Sequence, residues 1–387
     1  MLVLVVNCGS SSLKYQVREL EAGDDGGAVL ASGLIENIGG PQVADHTQAL
    51  RLLAERLEGE LGGRTIDAAG HRVVHGGERF SAPVLATDEI IREIERLVPL
   101  APLHNPAAVL GLRAVQRTWP HLPQVCVFDT AFHGTMPEHV WRYAVPEEFY
   151  ERWGIRRYGF HGTSHDWVTG QAAQFLGIPR ERFSCVVAHL GNGASVTAVR
   201  DGRSYDTSMG YTPLAGLVMG TRTGDLDPSV VTAVLRRDPG MTPERLDAVL
   251  NKESGLRAIA GDHDMRAVQE AADRGDERAE LALEMAAYRL AKYVGGYHVA
   301  VDGAQALVFT AGIGENAAAF RARVCARLGA LGVRIDDDAN AARSKEVRRI
   351  SAPDSAIEVL VVPTDEEQAI AAATAALVAG ADPGPAC

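Results

Sequence analysis

At 387 residues the chain is too long for one typical core and suits two domains. Hydrophobic residues make up 46% and charged residues 23%, an ordinary globular composition, and no uncharged apolar run approaches the roughly 20 residues of a membrane span. The net charge of −12, with no long basic run, excludes nucleic acid as the main partner.

The first stretch organises the rest. Leu2–Val6 is an apolar run that reads as a buried strand. It lacks the charged leader and cleavage site of a signal peptide. Asn7-Cys8-Gly9-Ser10-Ser11-Ser12 reads as a tight turn, and Leu13–Val17 resumes strand alternation. Three hydroxyls, successive backbone N–H groups and Lys14 suit an anion, although an ordinary serine-rich hairpin fits this stretch alone equally well. Glu21–Gly27 reads as an exposed acidic loop. His46–Leu61 has helical periodicity, and Ile66–His75 is strand-like, ending in His75-Gly76-Gly77. Thr87 precedes a capped helix reaching Leu97. Pro99–Pro106 breaks that helix and starts another at about Ala107. Gln124–Phe128 is a short buried strand ending at Asp129.

Loop-rich, aromatic sequence follows Ala131–Pro137, which marks the main boundary, and leads through Tyr158–His165 into a helix. Cys185–Val199 then repeats the opening layout. Aligning Gly9 with Gly191 sets Asn7 over His189 and Val17 over Val199, which suggests a duplicated architecture. Ser204–Pro228 is glycine-rich and irregular, and a long stretch of that kind inside a domain is usually functional. Helices dominate from Pro228 to about Ala300. Leu307–Thr310 is a strand running into a glycine turn, Ala311–Asn316, and then a helix, an arrangement suited to a nucleotide. Val359–Val362 is the last strand. Asp365, with Gln368 three residues on, forms a capping box for a terminal helix. Strands alternating with helices give an α/β fold class. The scattered, odd set Cys8, Cys126, Cys185, Cys325 and Cys387 suits reduced thiols and a cytoplasmic location.

These stretches together resemble the acetate and propionate kinase family over essentially the whole length. The resemblance is carried by Asn7–Tyr15, His71–Gly77, Phe160–His165, His189–Gly193, Gly210–Asp227, Asp264-Met265-Arg266, Gly312–Asn316 and Pro363–Glu367. It implies a two-domain actin/Hsp70/sugar-kinase (ribonuclease H-like) fold with a duplicated ββαβ core and ATP between the domains. Residues 1–131 would form the N-terminal domain, with the terminal helix, about 367–387, packed on it. Residues 132–366 would form the C-terminal, nucleotide-binding domain. It also implies a homodimer and reversible, Mg²⁺-dependent phosphoryl transfer between ATP and acetate, with Mn²⁺ as a substitute metal.

The same resemblance assigns roles residue by residue. Arg72 matches the acetate-contacting arginine, and a planar guanidinium suits a carboxylate, although a structural ion pair fits the residue as well. Val74, Leu103, Phe160 and Pro213 match positions around the substrate methyl, and each is also a natural core residue. Arg222, in a glycine-rich and mobile stretch, suits the charge on transferring phosphoryl oxygens. His161 and His104 match active-site histidines. Asp129 matches an aspartate often given proton transfer. Acetate, with a pKa near ~4–5, is already ionised at neutral pH, so Asp129 is expected to organise Mg²⁺ or polar neighbours. Asn7 and Glu366 match the Mg²⁺-linked pair. Lys14, His189, Leu190, Gly191, Asn192, Gly193, Asp264, Met265, Arg266, Gly312, Ile313, Gly314, Glu315 and Asn316 match the ATP site, although Asp264 and Arg266 also read as a surface salt bridge. Asp365 stands where the family often has Asn.

Three other readings compete. Propionate kinase differs by the room beside the substrate methyl, which the bulk of Val74 limits. An Hsp70-like ATPase of the same fold would leave Arg72 and Arg222 without purpose. A zinc hydrolase rests on the pairs His71/His75 and His161/His165. The second pair lacks the glutamate of the helical zinc-protease motif.

Overall fold

The computed structural model describes residues 1–21, 27–102 and 104–380. Most of the acidic loop expected at Glu21–Gly27, residues 381–387 of the expected terminal helix, Cys387 and Leu103 lie outside the described residues. The chain forms two compact units. The first comprises Met1–Gly134, Phe160–Trp167 and the segment from Asp365; the second comprises Thr135–Gly159 and Val168–Thr364.

The first unit is built on six strands: β1 (Leu2–Cys8), β2 (Ser12–Glu19), β3 (Ala28–Glu36), β4 (Ala68–Val73), β5 (Val84–Leu85) and β6 (Gln124–Phe128), in the order β3-β2-β1-β4-β6-β5. β1 is central and apolar because both its faces are covered. Leu4 and Val6 join the cluster under the helices His46–Glu60 and Asn105–Thr118. Val3 and Val5 pack with Ile370 and Ala371 of the terminal helix Glu366–Val378. Asp45 caps the first of these helices, its side chain accepting from Gln48 N at 2.8 Å. Thr87 caps the helix Asp88–Arg96 by accepting from Ile90 N.

The second unit has β7 (Cys185–Leu190), β8 (Ala194–Arg200), β9 (Arg203–Thr207), β10 (Ala306–Thr310), β11 (Arg348–Arg349) and β12 (Glu358–Val361), in the order β11-β12-β10-β7-β8-β9. Read from the other end, this order repeats the first sheet. In each, an antiparallel three-strand meander is followed by two parallel strands and an antiparallel edge strand. The duplication expected from the glycine turns therefore extends over both sheets.

Three local expectations change. Cys8 pairs with Leu13, whereas Leu190 pairs with Ala194, so the second turn is one residue shorter. The alignment through Gly9 and Gly191 thus holds for the first strand only, and Ala198, not Val199, is the counterpart of Val17. The Ser204–Pro228 stretch begins as strand, since Thr207 pairs with Thr197 before the irregular chain starts. The turn expected at Ala311–Asn316 is itself the helix Ala311–Asn316, with the reversal taken up by Ala311 at φ 65°.

Candidate active site

In the first unit, neighbouring parallel strands supply the central pair. Arg72 lies in β4 opposite Val127, and the β4–β6 ladder gains one further bond from Asp129 N to Val73 O at 3.0 Å. That bond seats Asp129 beside Arg72. Arg72 Nε donates to Asp129 Oδ1 at 2.9 Å and Oδ2 at 3.2 Å, and Nη2 donates to Oδ2 at 2.7 Å. Glu366 Oε2 lies 3.5 Å from Arg72 Nε. Arg72 Nη1 has no protein acceptor among the described residues. The Asp129 side chain is 2% exposed and that of Arg72 22%. Burial alone would lower Arg72, but the charges of Asp129 and Glu366 outweigh it and hold the guanidinium above its ordinary value. Burial pushes the Asp129 carboxyl up, opposed by the charge and hydrogen bonds of Arg72. The ion-pair reading of Arg72 is therefore present, and it uses one edge of the fork.

Around this pair the backbone is tightly held. Gly162 N donates to Asp129 O at 2.7 Å, and a Cβ at Gly162 would lie 2.3 Å from that oxygen, so only glycine fits. His161, one residue earlier, is left-handed at φ 58°, an uncommon state for a non-glycine residue. Phe160 is buried, and its carbonyl accepts from Nε2 of the buried His133 at 2.9 Å; a carbonyl can only accept, which fixes the proton on that nitrogen. The Phe160 ring meets the edge of His75 at 5.6 Å. Asn105 clasps the backbone of His75, accepting from its N at 3.1 Å and donating to its O at 3.0 Å. This fixes the half-buried Val74 on one side and His104, which precedes the helix, on the other. His104 acts on Asp129 by its charge, pulling the carboxyl down.

The other residues expected in this unit sit close by in sequence and register. Asn7 pairs across the hairpin with Lys14, whose ammonium forms an ion pair with Glu367, the neighbour of Glu366. Burial would raise the Glu367 carboxyl, but the hydrogen bond and charge of Lys14, its backbone hydrogen bond and the charge of Arg18 together lower it. The capping box is half formed: Asp365 accepts from Gln368 N at 2.8 Å, while the Gln368 side chain accepts from Arg18 instead. Arg18, 5% exposed, also pairs with Asp365.

In the second unit the β7–β8 turn, Gly191-Asn192-Gly193, is closed by Gly191 N to Gly193 O at 3.0 Å. It docks on the irregular stretch through Gly220 N to Asn192 O at 3.1 Å. His189 is buried in β7 opposite Ser195. Beside the turn is an apolar crevice lined by Leu190, Gly191, Leu217, Gly220, Met265 and Ile313. The stretch expected to be mobile is bound on all sides: Met219 N to Arg222 O, Leu256 N to Met219 O, Arg257 N to Gly220 O, Ser254 N to Thr221 O and Thr223 N to Leu250 O.

Arg222 itself is half-buried, and its side chain donates to Pro213 O at 3.2 Å and lies 3.9 Å from Met219 Sδ. It has no carboxylate partner among the described residues, and burial lowers its pKa. A cation held this way favours an incoming anion.

Asp264 caps the helix Met265–Asp273 and forms a fork with the exposed Arg266, at 3.1 and 2.7 Å, which brings its carboxyl down to about 2. This is the surface salt bridge that the sequence also allowed. Gly312 and Ile313 lie in the first turn of the helix Ala311–Asn316. Gly314 O and Glu315 O near its end accept from the buried Arg321, whose pKa burial lowers to about 10; Glu315 Oε1 accepts from Thr364 N at 3.1 Å, and Asn316 Nδ2 donates to Gly312 O.

Comparison with known proteins decides the family. Residues 41–372 match the acetokinase family. The chain belongs to that family. The acetate kinase of Kocuria rhizophila is 69% identical, with 98% of each chain covered, and that of Micrococcus luteus is 65% identical, with 98% of this chain and all of that one covered. The crystal structure of Porphyromonas gingivalis acetate kinase superposes with a TM-score of 0.91 at 42% identity, over 97% of this chain and 99% of that one. A propionate kinase from Francisella tularensis superposes with a TM-score of 0.89, also at 42% identity and with the same coverage. The fold is therefore the actin/Hsp70/sugar-kinase class expected of this family.

Sequence reasoning did not single out His133, Asn105, Glu367 or Arg321. Asn105 stood between His104 and Pro106 at a helix start, a position where an amide caps or clasps backbone. The other three reach their partners through the tertiary fold, and no local pattern announces them.

Proposed function

We propose that this protein transfers the γ-phosphoryl group of ATP to acetate, giving acetyl phosphate and ADP, and catalyses the reverse reaction. The observation that carries the reading is the Arg72 fork: Asp129 holds one edge and leaves Nη1 to grip a second carboxylate. Acetate is ionised at neutral pH and needs no base, so Asp129 orients Arg72 and does not remove a proton. An acetate oxygen attacks the γ-phosphorus in line. The bond from that phosphorus to the β–γ bridging oxygen breaks, and its electron pair leaves with ADP. Arg222, with no carboxylate partner among the described residues, neutralises the phosphoryl oxygens, and family resemblance assigns His161 to the same group.

The donor chemistry of Asn7 and Glu366, one amide oxygen and one carboxylate, fits Mg²⁺ with water and phosphate oxygens completing the shell, and Mn²⁺ suits the same donors. When bound, the ion neutralises polyphosphate charge. Lys14 exchanges Glu367 for a phosphate oxygen. The glycine turn at His189–Gly193, the Asp264–Arg266 segment and the Gly312–Asn316 helix serve the nucleotide; Met265 and Ile313 line one apolar crevice with Gly191. Val74 and Phe160 in the first unit, Pro213 in the second and Leu103 are assigned to the methyl by family resemblance. The half-buried Val74 and the acetate kinase relatives favour acetate over propionate. Family resemblance supports the proposal of a homodimer and a cytoplasmic location; among the described residues no helix is long and apolar enough to cross a membrane. Phosphorus NMR of protein with ATP, Mg²⁺ and acetate tests the reaction: a growing acetyl phosphate resonance is expected, and release of inorganic phosphate alone would overturn it.

A further inference from the structure

The loop that carries Arg222 is closed at its neck. Gly216 N donates to Asp225 Oδ1 at 2.8 Å, and Asp225 N donates to Gly216 O at 3.0 Å, so two residues nine apart bridge each other reciprocally. Gly224, at φ 69°, completes the return: a Cβ there would lie 2.3 Å from Leu217 O. The neck is then tied to the long helix Glu277–Ala300. Tyr293 Oη donates to Asp225 Oδ2 at 2.7 Å, and Arg289 Nη1 donates to Gly216 O at 3.0 Å and Asp225 O at 3.3 Å. Both Asp225 oxygens are thus in use, one on each side of the neck. Among the described residues Arg222 has no carboxylate to hold it, and its side-chain contacts are Pro213 O and Met219 Sδ. Its direction is therefore set by the loop backbone together with the single bond to Pro213 O.

We propose that Asp225, Tyr293 and Arg289 are positioning residues for Arg222, fixing the neck of its loop so that the guanidinium is aimed before the phosphoryl group arrives. The inference rests on the assignment of Arg222 to the transferring phosphoryl group. It follows from preorganisation: an electrostatic group that must reorient during the reaction loses its advantage. Tyr293→Phe removes one hydroxyl and leaves the ring. Loss of this hydrogen bond to a charged group should lower kcat roughly tenfold or more, with the KM values for acid and ATP little changed.

The test is a double-mutant cycle of Tyr293→Phe with Arg222→Ala, read in kcat, KM and Tm. If Tyr293 acts through Arg222, Tyr293→Phe slows the wild type but costs nothing further in the Arg222→Ala background. Arg289→Gln should show the same dependence on Arg222. Equal kcat losses in both backgrounds, or a wild-type kcat in Tyr293→Phe, would overturn the proposal. Should Arg222→Ala alone leave kcat intact, the phosphoryl assignment of Arg222 fails and the positioning role fails with it. A full loss in Arg222→Ala beside an inert Tyr293→Phe rejects the positioning role only.

Discussion

Arg72 and Asp129 meet in a three-bond fork that leaves Nη1 of the arginine without a protein acceptor among the described residues. The pair therefore works as a holder and a held group. Truncating one member of a buried, hydrogen-bonded charge pair costs about 2–5 kcal/mol. Arg72→Ala should lower acetate-dependent kcat/KM by roughly 30-fold or more while ATP affinity persists. Acetate KM and kcat near wild type would remove Arg72 from the acid site.

A carboxylate that orients and one that takes a proton differ in their pH profiles. Burial raises the Asp129 carboxyl, so on acidification it loses its charge at higher pH than an ordinary aspartate. The fork then slackens and acetate binding weakens. The acidic limb should thus appear in kcat/KM for acetate and disappear from kcat at saturating acetate; Asp129→Asn should raise acetate KM chiefly. An acidic limb that persists in kcat, and is abolished by Asp129→Asn, would favour proton transfer.

Val74 follows Arg72 by two residues and is half-buried. If it borders the substrate methyl, Val74→Ala opens space for one more carbon. A methylene in an apolar pocket is worth about 1–3 kcal/mol of discrimination, so the propionate-to-acetate ratio of kcat/KM should rise roughly tenfold or more. An unchanged ratio would place Val74 in the core alone.

His71 and His75 are buried, and burial lowers each to about 4 from 6.5. Between these values the unfolded chain binds protons that the folded chain refuses. Stability is therefore lost as pH falls from 6.5 towards 4, by about 1.4 kcal/mol for every pH step of one at each histidine. His71→Leu should make the fall of Tm across this window shallower. An unaltered slope would show that His71 does not carry the acid sensitivity.

Much of this was legible because it is local. The Leu2–Val6 strand, the Thr87 and Asp365 caps and the Gln124–Phe128 strand are written in period and capping chemistry, and the glycine turns betrayed the duplication of the two sheets. What escaped depends on long-range pairing. Nothing near Arg72 shows that Asp129, 57 residues on, takes one edge of its fork. Glycine content made the Arg222 stretch read as mobile, whereas its backbone bonds to Leu250, Ser254, Leu256 and Arg257 hold it. The one-residue shortening of the second turn is masked because the first strands align without a gap and Val17 falls on Val199, although Leu13 and Tyr15 then fall on Ser195 and Thr197.

ATP should be consumed only when a small carboxylate receives its phosphoryl group. A coupled assay of ADP release with acetate, propionate, butyrate and no acid measures this in one experiment. Turnover should be highest with acetate, lower with propionate, lowest with butyrate, and negligible without acid. ADP release at the same rate with no acid present would contradict a carboxylate acceptor and identify an ATPase instead.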